Sequence, residues 1–431
     1  MSNIELLKEL GYNCDVVVQL FKIYWPDNGG GIATVMESIA TAMKGEKQEI
    51  VVCQAKRGRK STVEKYQGVP VYRCSQLFDF ASTPFSIRFL QAAYRRTKDS
   101  DITIYHFPYP MIDLAVLFGL VKGKLVVWWH CDFDKYKLLM PIYNVFVRHT
   151  LKKADRILVS AQGNIDHSNI LCDYKEKCTV IPFCVSDGIL KRGQKYYNQR
   201  EKTPIDNDKP INILFVGRLV WYKGLDLLLK AFAQMKNKNC TLTIVGGGPL
   251  EQELHEQARK LGLNKVCFTG MVSEEEKLQC IENCDFLVLP STSKAEAFAL
   301  VQIEAMAFGK PVINTALPSG VPCVSIDGVT GLTVQPGNLS ELAQAMDEMT
   351  ENDSMRETYG RQAYDMVQKE YTPQKLKERH MQVFQELLDE GKAISIMRTI
   401  SLHWKNLILY GSLRQKQSEF PWMEERHILM D

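Results

Sequence analysis

Short β-branched runs alternate with amphipathic stretches through the first half of the chain: DVVVQL at 15–20, EIVVCQA at 49–55, DITIYHF at 101–107, KLVVWWH at 124–130, DRILVSA at 155–161 and CTVIPF at 178–183. Runs this short and apolar on both faces are what parallel strands need when helices cover the sheet above and below. A polar stretch at 191–210 with two prolines reads as a linker. The pattern then restarts with INILFVG (211–217), CTLTIVG (240–246), KVCFTG (265–270), DFLVLPS (285–291) and KPVINTA (310–316), separated by helical stretches such as GLDLLLKAFAQM. Helices are predicted at 339–350, 353–370 and 373–389. The predicted fold is α/β: two Rossmann-like doubly wound domains, an N-terminal one at 1–195 and a C-terminal one at 211–372, joined by a linker at 196–210. A helix at 373–390 and a tail at 391–431, which the pattern does not place, complete the chain.

Length supports this division, because 431 residues exceed the roughly 250–300 at which a single core stops growing. Hydrophobic residues make up 45% and charged residues 24%, the range of a folded globular protein. The 53 basic and 50 acidic residues leave a formal charge of +3, too balanced to point to a nucleic-acid partner. Twelve cysteines include no CxxC pair, and Cys280 and Cys284 lack a matching Cys or His pair in zinc-like spacing. Free thiols in a reducing cytoplasm are the expectation. No apolar run reaches the length of a membrane span and no leader pattern opens the chain, so the expectation is a protein neither secreted nor transmembrane.

In open α/β sheets ligands bind beyond the carboxyl ends of the strands, and there the chain carries its chemistry. Gly29, Gly30 and Gly31 precede the helical IATVMESIATAM; such a run lets backbone approach a phosphate, and by itself it is equally a tight turn. After ILFVG, which ends in Gly217, the loop bears Arg218 and Lys223. Together these could neutralise a diphosphate leaving group without a metal, whereas alone they could be two solvated charges. GGGPL, containing Gly247, lacks the spacing of a dinucleotide fingerprint and the Lys-Ser/Thr of a P-loop. Beside the turn at Gly270 and Met271 it offers a surface for a nucleobase.

The strongest constellation is PSTSKAEAFALVQIEAMAFGKPV at 290–312. A loop delivers Glu296 and a helix carries Glu304. Were the span fully helical, the two carboxylates would lie about 12 Å apart, near one face. Carboxylates accept hydrogen bonds from hydroxyl pairs, so one could hold a ribose and the other a sugar, with the amides of Ala297, Phe298, Ala299 and Leu300 meeting phosphates between them. His130 ends KLVVWWH at the facing edge of the first domain. Asp132 and Asp134 form a DxD, but with Arg218 and Lys223 already supplying charge, no metal is expected.

These segments resemble the retaining glycosyltransferases of family 4. The resemblance runs from about residue 15 to 390 and is carried by YWPDNGGGIATVMESIA, VVWWHCD, KKADRILVSA, FVGRLVWYKGLDLLLKAF, IVGGGPL and EAFALVQIEAMAFGKPVI followed by SGVPCVSIDGVTGLTVQPGN. It implies the GT-B fold, two Rossmann-like domains facing across a cleft, with 373–389 crossing back toward the first domain. It further implies that Arg218 and Lys223 bind the donor diphosphate, Glu304 the ribose, Glu296 the transferred sugar, Gly30 and Gly31 the phosphate side, and His130 the donor sugar or the acceptor. VQIEAMAFGKPV and SGVP look most like bacterial mannosyl- and rhamnosyltransferases of surface-polysaccharide assembly. Two residues depart from the family pattern: Cys184 and Ala299 stand where glycine is usual.

The implied reaction moves a hexose from a GDP- or UDP-linked donor to a hydroxyl of a glycan, with retention and without a metal or other cofactor. The implied acceptor rides a polyprenyl diphosphate carrier at the inner face of the cytoplasmic membrane. The segments 86–98 and 134–153 mix aromatic, aliphatic and basic residues as an interfacial helix does, and as an ordinary packed amphipathic helix also does. The competing readings are a nucleotide-sugar-binding scaffold without activity and a GT-B epimerase or phosphorylase.

Overall fold

A computed structural model describes residues 16–27, 30–80, 83–132, 140–200 and 209–390. The predicted Gly29 and Asp134 and the tail at 391–431 lie outside the described residues. The chain divides into a compact unit ending at His380 and a second unit from Met381. The first unit contains both large sheets.

The first sheet has eight strands in the order β10-β9-β8-β7-β1-β2-β4-β3. These are β1 (Val17–Leu20), β2 (Gln48–Cys53), β3 (Thr62–Tyr66), β4 (Val69–Cys74), β7 (Ile102–Phe107), β8 (Lys124–Trp129), β9 (Arg156–Val159) and β10 (Cys178–Val180). All neighbours pair in parallel except β3 with β4. The second sheet is wholly parallel in the order β13-β12-β11-β14-β15-β16, with β11 (Ile211–Val216), β12 (Cys240–Val245), β13 (Val266–Gly270), β14 (Phe286–Val288), β15 (Val312–Thr315) and β16 (Gly331–Val334). A small hairpin pairs β5 (Phe78–Phe80) with β6 (Thr83–Phe85). Each sheet carries its own core, the second built from Ile213, Phe215, Leu242, Ile244 and Phe286 against Leu225, Leu228, Leu229 and Met346.

Three features depart from the sequence expectation. The edge hairpin β3–β4 reads in sequence as alternating rather than continuous apolar residues, and its turn at Gln67 and Gly68 takes positive φ at both positions, the geometry of a tight hairpin. The four-residue β16 is too short for a periodicity to register. The predicted linker at 196–210 begins inside a helix, Asp187–Arg200. That helix belongs to the packing of the second sheet's domain: Arg192 pairs with Glu275 and Glu282 at 2.6 Å each, and a Cβ on Gly193 would stand 2.3 Å from the Ala307 carbonyl oxygen.

The strand order reverses between β1 and β7 in the first sheet and between β11 and β14 in the second. At such a switch point the loops leaving adjacent strands diverge and open a crevice. The loops after β11 and β14 carry Arg218, Lys223 and Glu296.

Candidate active site

Glycines bring these loops together. Gly224 holds φ +68, and a Cβ there would lie 2.1 Å from the Pro290 carbonyl oxygen, so the start of the helix Leu225–Gln234 presses against the loop that leaves β14. The Thr292 amide donates to the Tyr222 carbonyl at 2.8 Å. Lys223 consequently meets Glu296: Nζ lies 2.5 Å from Oε2, and both side chains are only 10% exposed. Ser291 Oγ donates to the same Oε2 at 3.2 Å. Lys223 also lies against Gly217, where a Cβ would come within 3.5 Å of Nζ. Arg218, on the same loop, is exposed.

Glu296 does not sit on the helix. It belongs to the loop, as the sequence reading has it, and the helix spans only Leu300–Met306, so the span between the two carboxylates is not fully helical. The reason is Ala299, which caps the helix at φ 60, ψ 83. That left-handed conformation turns the chain between the two glutamates and is one that glycine adopts more readily than alanine. Glu304 on the helix is paired as well: Lys277 Nζ lies 2.9 Å from its Oε2 and 2.8 Å from Glu274 Oε1. Burial opposes the Lys277 charge, but Glu304 and Glu274 hold its ammonium above the usual lysine range. Each of the two predicted carboxylates is thus held by a lysine through one oxygen.

The glycine turns after β12 and β13 meet one another. Gly246 takes φ +128, and a Cβ there would stand 2.1 Å from the Gly217 carbonyl oxygen. Met271 is 82% exposed and lies over Gly247, with Cγ 3.0 Å from where a Cβ would stand. Gly270 turns with φ +68. On the other side, Gly31 opens the helix Gly31–Ala42, with nothing within 4 Å of its Cβ position. Gly30 has an ordinary extended φ of −69. At Gly31 the exposed backbone leaves open space rather than answering a backbone requirement.

His130 reaches the second domain through aromatic contacts. Its ring stacks on Trp128 at 5.1 Å and on Phe183 at 5.9 Å, and Phe183 meets Phe298 edge-on at 4.9 Å. Phe298 is buried between Ala297 and Ala299, so the loop bearing Glu296 and the strand end bearing His130 share one aromatic cluster. From the helix that follows Tyr371, His380 accepts from Trp128 Nε1 at 3.2 Å. Cys184, the other departure from the family, is buried.

Sequence reasoning missed several groups here. Lys277 closes an acidic run, EEEK, that reads as solvated. Gln19 and His106 are polar residues within otherwise apolar strands, which is itself a signal. Asp132 accepts from Trp129 Nε1 at 3.1 Å and Ser168 Oγ at 2.8 Å, and Lys294 of the second domain stands 3.3 Å from it. It works as a crossing point between the domains. Among the described residues no cluster of three or more His, Cys, Asp or Glu suits a metal ion.

Comparison with known proteins agrees with this architecture. Residues 29–187 match the model of Glycosyltransferase Family 4 and residues 197–366 that of Glycosyl transferases group 1. The chain is 30% identical over 373 residues to the O-antigen chain mannosyltransferase C of Escherichia coli, covering 86% of this chain and 99% of that one. It is 31% identical over 349 residues to the D-rhamnosyltransferase WbpZ of Pseudomonas aeruginosa, covering 80% and 90% respectively. Among solved structures, the sucrose-phosphate synthase of Thermosynechococcus elongatus superposes with a TM-score of 0.68 at 18% identity, over 87% of this chain and all of that one. Anabaena HepE in complex with UDP and glucose gives 0.66 at 18% identity, over 85% and 98%. With paired strand-end carboxylates, a two-sheet architecture and relatives matched almost end to end, the chain belongs to the family 4 glycosyltransferases and has the GT-B fold.

Proposed function

We propose that the protein transfers a hexose, mannose, rhamnose or a close analogue, from a nucleoside diphosphate sugar to a glycan hydroxyl in bacterial surface-polysaccharide assembly. The observation that carries this reading is the pairing of Glu296 with Lys223 and of Glu304 with Lys277 at one crevice. Each carboxylate keeps a second oxygen for a hydroxyl while its lysine holds it in place. Lys223 and Arg218 would take the diphosphate, Glu304 the ribose, Glu296 the transferred sugar, and the shelf of Gly247, Gly270 and Met271 the base. The amides from Ala297 to Leu300 and the backbone at Gly30 and Gly31 would meet the phosphates.

The barrier lies in breaking the anomeric bond to phosphate. Cations beside the leaving diphosphate lower it most where charge develops. Retention follows if a phosphate oxygen takes the acceptor proton on the face from which the diphosphate departs, a route that needs no protein nucleophile and no metal. Incubation with GDP- and UDP-linked hexoses and a glycan acceptor, following released nucleoside diphosphate, tests the assignment. Acceptor-dependent release supports it, whereas donor binding without release in the presence of the true acceptor favours a silent scaffold.

We also propose that the acceptor is carried on a polyprenyl diphosphate and that the first domain rests on the inner face of the cytoplasmic membrane. No helix among the described residues is long and apolar enough to cross a membrane. Helix Ile87–Thr97 exposes Ile87 beside Arg88 and Tyr94 beside Arg95, and Ile142 and Val145 are exposed on the helix that carries Arg148, Lys152 and Lys153. Apolar side chains ringed by cations suit an anionic interface. Arg96 instead turns inward, its guanidinium 4.5 Å from the Tyr72 ring centre. Flotation with anionic liposomes decides: binding lost on charge reversal at Arg95, Lys152 and Lys153 supports docking, and no binding by the unaltered protein rejects it.

A further inference from the structure

A chain of three buried polar side chains runs from the first strand to His130. Gln19 on β1 and His106 on β7 are both fully buried. Gln19 Nε2 donates to the Met36 carbonyl at 3.4 Å, and its Oε1 lies 2.9 Å from His106 Nε2. His106 Nδ1 lies 3.0 Å from His130 Nε2. The backbone carbonyl of Met36 can only accept, so the amide of Gln19 must face it with its NH2 group; the flipped amide would set two carbonyl oxygens against each other. Oε1 therefore faces His106, and His106 must carry its proton on Nε2 to donate. Its Nδ1 is then a bare acceptor, and the proton in the next bond can come only from His130 Nε2.

The direction of this chain depends on the neutrality of both rings, and their surroundings enforce it. Among the described residues, the causes acting on the two rings are burial and, for His106, the neighbouring histidines. Burial, followed by the neighbouring His130 and His380, pushes His106 well below the ordinary histidine range. Burial alone lowers His130 to about 3. Trp128, stacked 5.1 Å away at 9°, covers the His130 ring with an apolar face. His380, against the same indole, donates through Nδ1 to the Leu376 carbonyl at 2.8 Å and accepts from Trp128 Nε1, so it too is neutral with a single tautomer.

We propose that Gln19 and His106 are positioning residues that fix His130 as the Nε2–H tautomer, so that its remaining nitrogen, Nδ1, is an acceptor that takes a hydroxyl hydrogen from a sugar. The assignment to a sugar rests on the proposed function; the tautomer does not. A phosphate oxygen also only accepts, so an Nδ1 acceptor discriminates against the diphosphate and for the hydroxyl-bearing part of donor or glycan. His130 in this state is neither a general acid nor a cationic phosphate ligand. Gln19 reaches it through His106, and the Met36 carbonyl that orients the Gln19 amide belongs to the helix that begins at Gly31.

The test is nitrogen NMR of the full chain labelled with 15N-histidine at pH 7, with the His130 signals identified by their loss in His130→Gln. The proposal expects a neutral Nε2–H pattern for His130 in the unaltered protein. It expects Gln19→Met, which keeps the volume but removes the acceptor, to convert part of His130 to the Nδ1–H form. With that change, transfer should fall about tenfold, the order of one lost hydrogen bond to substrate, while affinity for nucleoside diphosphate alone stays constant. A protonated or Nδ1–H His130 in the unaltered protein overturns the proposal. A Gln19→Met protein with unchanged tautomer and turnover overturns it too. If His130→Gln transfers at full rate while the unaltered protein shows the expected tautomer, the sugar contact fails and the relay stands.

Discussion

The Lys223–Glu296 pair separates a structural from a functional reading of the site. At 2.5 Å with both side chains 10% exposed, the attraction is about 6–7 kcal/mol at an effective dielectric near 20, before desolvation is charged against it. Removing one partner of such a buried pair leaves the other uncompensated and typically costs about 3–5 kcal/mol. Lys223→Met should therefore destabilise the protein by about 3 kcal/mol, with Glu296→Gln somewhat milder because Ser291 Oγ still finds an acceptor. In the double variant the amide and thioether are both neutral, so most of the loss should return, giving a coupling energy of about 2 kcal/mol in a urea-unfolding cycle. Transfer should not return. The double variant should remain at least about a hundredfold below the unaltered protein, because the cation for the departing diphosphate is gone. Coupling below about 0.5 kcal/mol would contradict the buried pair; a double variant that regains both stability and turnover would leave Lys223 a packing residue.

Other outcomes follow from single features. Ala299→Gly removes a methyl from a left-handed residue, relieving about 1–2 kcal/mol of strain against about 0.4–1 kcal/mol of added unfolded-state entropy; calorimetry should show a small rise in melting temperature, and a fall would show the conformation to be unstrained. Glu304→Gln keeps the shape of the helix but should weaken nucleoside diphosphate binding roughly tenfold in calorimetric titration, because a charged acceptor for the ribose is lost and Lys277 is freed to other partners. Acid should destabilise the fold. His130 is lowered to about 3 and His380 to about 4, both by burial, so the unfolded chain binds more protons than the folded one below the ordinary histidine value, and stability falls as pH drops from 7 toward 5. Asp113, raised to about 6 by burial, acts in the opposite sense over the same range. Urea midpoints at pH 7 and 5 check the balance, and replacing His380 with Gln should flatten the slope.

The fold was legible where periodicity was strong. Both sheets could be read from runs such as VVWW and ILFV because parallel strands bury both faces and leave a continuous apolar signature. The β3–β4 edge escaped for the converse reason, since Thr62–Tyr66 is largely exposed. At the site, residue types were legible but partnerships were not. Glu296 and Glu304 stand out in sequence, but the lysines that hold them come from distant segments, one after β11 and one from the helix Glu274–Asn283. The loop position of Glu296 was legible, but the left-handed turn at Ala299 that separates it from the helix was not, because alanine seldom takes that backbone state and no periodicity reports it. Gln19 and His106 were visible as polar interruptions of buried strands; what they connect depends on the β1–β7–β8 order, which only the folded sheet supplies.

The central claim is transfer from a nucleoside diphosphate sugar by the paired carboxylate crevice. Its most direct measurement is acceptor-dependent release of nucleoside diphosphate from a panel of GDP- and UDP-linked hexoses, made side by side on the unaltered protein, Glu304→Gln and Lys223→Ala. The account predicts release from one class of donor by the unaltered protein and a loss of about a hundredfold or more in Lys223→Ala, with Glu304→Gln also impaired. Full release by both variants would contradict it.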